Sequence, residues 1–99
     1  QEIEMVQPKE NQKDKRLAEI NQLIINQPNS EQGYYQLAKF HLENQQPEEA
    51  LKQINRAMKI APKDPNINFV KAMSYLGINK IEQGLPFLER TVELDSNHI

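Results

Sequence analysis

EALKQINRAMKIAP, residues 49–62, decides how this chain is read. Its apolar residues Ala50, Leu51, Ile54, Ala57 and Met58 recur at steps of three and four, the spacing of one helical face. Pro62 closes the segment, because proline has no amide hydrogen and disfavours helix in the residue before it. Upstream, AEINQLIINQP, residues 18–28, ends the same way on Pro28, 34 positions earlier. The offset holds along the chain. Residues 31–64 laid over 65–98 set Ala38 on Ala72, Leu42 on Leu76, Ala50 on Gly84 and Leu51 on Leu85. Ile54 falls on Leu88, Ala57 on Thr91, Met58 on Val92 and Ile60 on Leu94. Small residues meet small ones and branched meet branched, with Thr91 the polar exception. One step back, Leu17, Ile20, Ile24 and Pro28 align with Leu51, Ile54, Met58 and Pro62, so half a unit precedes the first full one.

Each unit reads as helix, short turn, helix, short turn. Tyr34, Leu37, Ala38, His41 and Leu42 mark the first helix of the first unit. ENQQP, residues 43–47, is a polar turn whose proline suits a first helical position. Asp64-Pro65 repeats that signal, and Asn29 or Ser30 can cap the helix that starts near Glu31. Two helices joined by a tight turn approach to about 8–10 Å. Ala38 and Ala50 supply the small side chains needed where they cross, and Ala57 admits the next pair. One segment is harder: Gly84 and Pro86 both weaken a helix, so the last helix should start near Gly84 or have an irregular first turn.

These positions resemble the tetratricopeptide repeat. Tyr34 fills its bulky fourth position, Leu37 and Ala38 its large-then-small pair, Ala50, Ile54 and Ala57 its later apolar sites, and Pro62 its closing proline. His41 stands where an aromatic is usual. In the second unit Asn68 replaces the bulky residue, leaving a core gap that Phe69 beside it is placed to fill, Lys71 replaces the large apolar one, and Thr91 and Ser96 depart further, while Ala72, Tyr75, Gly84 and Leu88 fit. The resemblance implies an all-α fold, a right-handed α-solenoid of antiparallel helix pairs with two full repeats and a preceding half repeat. Residues 1–10 read as a flexible tail that Pro8 keeps from being helical, and residues 11–99 as the repeat domain (half repeat 11–27, repeats 31–64 and 65–98). Ile3, Met5 and Val6 in the tail are placed to cover Ile20 and Leu23, although a frayed terminus is the plainer reading.

Composition narrows the function. The 99 residues fit one small domain with a thin core, at 37% hydrophobic and 6% aromatic residues. Twelve basic residues against fourteen acidic ones give no basic face for nucleic acid. The longest apolar run, Leu23 to Ile25, is far too short to insert in a membrane. Without cysteine there is no disulfide or thiolate metal site, and both cytoplasmic and periplasmic or secreted settings fit. No phosphate-loop, HExxH or GxSxG pattern is present. His41 lies on an apolar helix face and reads as a hydrogen-bonded core residue. Glu43 is two residues from it and on another face. Asp95 and His98 lie at a chain end, Glu48 and Glu49 suit the dipole of a helix start, and Glu89, Arg90 and Glu93 form a solvated face. The expectation is a non-enzyme with no cofactor and no metal ligands.

What remains is surface shape. Stacked helix pairs make a curved solenoid lined inside by the first helix of each unit. The resemblance places Gln32, Tyr35, Lys39, Leu42 and Glu43 there, and Asn66, Phe69, Met73, Leu76 and Gly77 in the second unit. Tyr35, Phe69 and Met73 together suggest an apolar site for an extended or helical peptide, with Lys39 holding a carboxylate or carbonyl at its edge. The lysine-and-asparagine clamp with which some members hold the terminal carboxylate of heat-shock chaperones is not matched, since Tyr35, Phe69 and Met73 occupy its positions. Leu85, Val92 and Leu94 on the last helix should face a missing neighbour. That edge suggests an alternative role in a longer solenoid or in self-association as a homo-oligomer.

Overall fold

The computed structural model describes residues 8–96, with side chains over 12–95. Ile3, Met5, Val6 and His98 lie outside the described residues. Five helices follow in order: α1 (Pro8–Asn26), α2 (Glu31–Glu43), α3 (Pro47–Ile60), α4 (Pro65–Gly77) and α5 (Ile81–Ser96). No strand occurs among the described residues. Each helix packs on the next, most closely in the pairs α2–α3 and α4–α5, and α2 also touches α4. This is the expected all-α repeat stack. The array is elongated, 53 × 31 × 26 Å.

Caps and turns set the helix ends. The Ser30 hydroxyl accepts from the Gln32 N–H at 3.2 Å. Asp64 Oδ1 accepts from the N–H groups of Asn66 and Ile67 at 2.8 and 3.4 Å. Pro47 and Pro65 occupy first helical positions, where no amide hydrogen is needed. Pro8 does the same for α1, so it starts a helix that takes in residues 8–10 of the expected tail. The turns after α2 and α4 share one design. Gln45 and Asn79, again 34 apart, have φ of 62° and 65°. Gln46 N–H donates to His41 O at 2.8 Å and Lys80 N–H to Tyr75 O at 2.9 Å, reaching back over a left-handed residue to the last helical carbonyls.

The core alternates small and branched residues. Ala38, Ala50, Ile54 and Ala57 are fully covered, with Ile67 and Val70 beside them. Small residues at these crossings let backbones close up. A Cβ on Gly33 would stand 2.5 Å from Ile24 Cγ1, and one on Gly84 would stand 3.0 Å from the Ala72 carbonyl oxygen. Gly84 is thus the repeat partner of Ala50 at a still tighter crossing. Thr91, partner of Ala57, donates its hydroxyl to Phe87 O at 2.8 Å, which satisfies the one polar group in the small-residue register.

Two expectations about the second unit change. Helix α5 begins at Ile81 rather than near Gly84, and Pro86 lies inside it. Pro86 and Glu82 are both exposed, so the Glu82 carbonyl that loses its partner is left to water rather than to the core. Nor does Phe69 fill the place left by the absent bulky residue. Asn68 is fully buried there, and its Nδ2 donates to Pro62 O at 3.0 Å and Asp64 O at 2.9 Å. In the first unit the Tyr34 hydroxyl donates to Pro28 O at 3.4 Å. Two different side chains at one repeat position therefore tie the α-helix to the same proline carbonyl of the preceding turn.

Candidate binding groove

Because α2 and α4 lie side by side, one face of each forms a common wall. On α2, Tyr35, Lys39, Leu42 and Glu43 point to it at steps of four, three and one. On α4, Asn66, Phe69, Val70 and Met73 do so at steps of three, one and three. Together they line an open groove of about 390 Å³. Seven of the ten residues expected on the inner face are brought together here, and Gln32, Leu76 and Gly77 are not. Phe69 is 46% exposed, a large ring left in solvent on an otherwise ordered helix. Tyr35, Leu42 and Met73 are half-buried, and Val70 forms a covered floor.

The polar groups differ in their freedom. Lys39 Nζ stands 5.2 Å from the centre of the Tyr35 ring, within reach of a cation–π attraction that keeps the ammonium over the groove. Glu43 is already engaged: its Oε1 accepts from Arg16 Nη1 at 2.6 Å, tying α2 to α1. Both partners are about half exposed, so the pair contributes little stability but fixes where the carboxylate lies. Asn66 adds an exposed amide at the far end.

Leu76 does not join the groove. It turns towards α5, where its Cδ2 would lie 3.5 Å from a Cβ on Gly84. Its α2 counterpart Leu42 packs against the core cluster and still lines the groove. Gln32 does not line the groove, and Gly77 instead borders a larger, more polar depression of about 440 Å³ at the inter-helix turns with Gln45, Gln46, Pro47, Glu48, Glu49 and Ile78. That depression is lined largely by loop and helix-start polar groups, and carries no apolar anchor comparable to Phe69. The expected edge residues divide: Leu85 and Val92 are exposed, Leu94 is half-buried.

Sequence reasoning missed Phe40 and Arg16. Phe40 is buried, its ring 5.9 Å from the Arg16 guanidinium carbon and edge-on to His41 at 5.9 Å. The repeat offset pairs Phe40 with Ser74, which is also buried but polar, so the register gave no apolar signal there. His41 itself is half-buried and its Nδ1 donates to Gln46 Oε1 at 2.8 Å, a hydrogen bond that anchors the turn. On the other side of α4, burial holds the Lys71 ammonium below its ordinary range. Its Nζ sits 4.6 Å over the Phe87 ring, which in turn stacks on Tyr75 at 6.0 Å. Among the described residues, no three His, Asp or Glu side chains gather as metal ligands. No helix among them is long and apolar enough to cross a membrane.

Residues 15–91 match the family described as anaphase-promoting complex, cyclosome, subunit 3, whose repeats are tetratricopeptide-like. The chain belongs to this family. A solved structure, MamA MSR-1 C2, also a tetratricopeptide-repeat protein, is similar to it with a TM-score of 0.77 at 18% identity. The likeness covers 89% of this chain and 51% of that one, so the chain spans about half the length of MamA, and at that identity what is shared is the fold. No curated protein matches the sequence. Repeat families of this kind are generally non-enzymatic protein-interaction modules.

Proposed function

We propose that the groove between α2 and α4 holds a short segment of a partner protein, with no reaction carried out on it. The observation that carries this reading is Phe69, 46% exposed beside Tyr35 and Met73 in a groove of about 390 Å³. Leaving the Phe69 ring and the uncovered parts of Tyr35 and Met73 together in water costs apolar hydration free energy that a ligand removes. A volume of this size suits a few side chains of a peptide rather than a folded surface. Two rigid rings and a pliable thioether would grip an apolar anchor residue, the methionine adapting to its shape. Lys39 at the edge would meet a carboxylate or backbone carbonyl of the same segment, while Glu43, held by Arg16, would disfavour a second acid there.

Selection of binders from a random peptide library tests this. Peptides recovered on the parent protein should carry an apolar anchor with an acidic neighbour, and should lose binding to a Tyr35→Ala/Met73→Ala variant that keeps its helical circular dichroism. Recovery of the same peptides with equal affinity on that variant would sink the assignment.

A further inference from the structure

A second surface, away from the groove, also asks for a partner. Six large hydrophobic residues are prominently exposed among the described residues, and three of them lie on α5: Ile81 at 51%, Leu85 at 47% and Val92 at 66%. With the half-buried Leu88 they are spaced four, three and four apart, a single seam along the helix. The repeat itself shows what such a seam does when covered. Its counterparts on α3, 34 positions earlier, are Pro47, Leu51, Ile54 and Met58. Leu51 and Met58 pack into the core that Ile54 and Ala57 share with Ile67 and Val70 of α4. The α5 seam is thus a second copy of an interface that the molecule already uses to receive a helix.

The edge of the seam specifies the charge of that helix. Glu82 and Glu89 flank it and are both exposed. The counterpart of Glu89 is Asn55, which is half-buried with its Oδ1 shielded from solvent. A helix seated on α5 as α4 sits on α3 would therefore cover a carboxylate where α3 offers only an amide, and a covered carboxylate needs a cationic partner. Over its length α5 carries Glu82, Glu89, Glu93 and Asp95 against Arg90 alone.

These charges disfavour a second copy of the chain. An antiparallel pairing of α5 with α5 sets acidic edge against acidic edge, a like-charge arrangement that works against self-association. Elsewhere the large exposed hydrophobics are single residues on separate helices, Ile25 on α1, Ile60 on α3 and Phe69 on α4, so no other face among the described residues offers a matching seam.

We infer that the outer face of α5 docks an amphipathic helix of a partner protein, with branched apolar residues along one face and lysine or arginine beside them. The surface is separate from the α2–α4 groove, and neither needs the other to be occupied.

Two synthetic amphipathic helices of α5's length, with identical apolar stripes and either lysine-rich or glutamate-rich polar faces, test the inference by fluorescence anisotropy. The lysine-rich helix should bind the parent protein, and roughly tenfold or more weakly a Leu85→Asp/Val92→Asp variant, whose substitutions are both at exposed sites. Glu82→Lys/Glu89→Lys should reverse the preference towards the glutamate-rich helix. Tyr35→Ala/Met73→Ala should leave binding as it was. Equal binding of both helices, no binding of the lysine-rich one, or loss of binding on the groove variant would each overturn the inference. So would sedimentation showing a parent oligomer that Leu85→Asp/Val92→Asp converts to monomer, because the occupant would then be a second copy, or a longer form of the chain that no longer binds the lysine-rich helix, because the occupant would then be a helix of the same chain.

Discussion

Replacing Asn68 by aspartate isolates the bond that lets the second unit do without its bulky residue. The two side chains are nearly the same size, so no cavity opens. Asn68 Nδ2 donates to Pro62 O at 3.0 Å and Asp64 O at 2.9 Å from a fully buried position, and its Oδ1 has no partner. Aspartate keeps the shape but has no donor when ionised and only one O–H when protonated, against the two N–H bonds of the amide. Each neutral hydrogen bond contributes about 0.5–1.5 kcal/mol net, and leaving buried polar groups unpaired costs about 1–3 kcal/mol more. Two oxygens facing two carbonyls in a covered site raise the cost again if the carboxyl is ionised. The expected loss for Asn68→Asp is about 3 kcal/mol. At about 4–8 °C per kcal/mol for a domain of this size, that lowers Tm by roughly 12–24 °C. Urea unfolding followed by far-ultraviolet circular dichroism reads it as a lower midpoint at constant slope. Tyr34→Phe removes the equivalent bond of the first unit, which is longer at 3.4 Å and only half-buried, and should cost about 0.5 kcal/mol or less. Asn68→Asp within about 0.5 kcal/mol of the parent, or no gap between the two variants, would refute the claim that the proline carbonyl is the shared tie point.

Further outcomes follow from the same geometry. Gln45→Gly should stabilise the protein by up to about 1 kcal/mol in urea melts, because Gln45 holds φ of 62° at an exposed turn and only glycine adopts that region freely. Gly33→Ala should destabilise by about 1–3 kcal/mol, since the new methyl would stand 2.5 Å from Ile24 Cγ1; the same melts check it. Lys71→Leu restores the residue of the first unit. Burial lowers the Lys71 pKa on folding, so the folded chain binds fewer protons than the unfolded one just below the ordinary lysine value of 10.5. The parent's stability therefore rises with pH through that window, and the advantage of Lys71→Leu is largest near neutral pH and shrinks as 10.5 is approached. Solvent screening at this half-exposed site keeps the advantage to about 0.5 kcal/mol, measured as the difference between the two proteins' melts at neutral and alkaline pH.

The fold was legible because its constraints are local and repeated. Prolines at Pro28 and Pro62, alanines at Ala38 and Ala72, and the small pair Ala50 and Gly84 each state where two backbones must cross or stop, and a fixed offset lets one statement check another. Pro86 misled because propensity speaks of hydrogen bonds lost and is silent about which side of the helix faces water. Asn68 was read as a gap because its role depends on a carbonyl six residues away that only the folded turn brings within reach. In the groove, Tyr35, Lys39, Phe69 and Met73 were placed by register alone. Leu76 was misplaced, since register assigns a face to each helix position but does not say that Gly84 opens room for it on α5. Phe40 escaped because its repeat partner is a serine.

The groove itself is tested most directly at Met73. Methyl NMR spectra of the protein, labelled at methionine and titrated with a library-selected peptide, report on Met5, Met58 and Met73 at once. The account predicts that the Met73 signal moves with saturation while Met58, packed against the α3–α4 core, stays in place. A peptide that binds and shifts Met58 or Met5 while leaving Met73 untouched would contradict it.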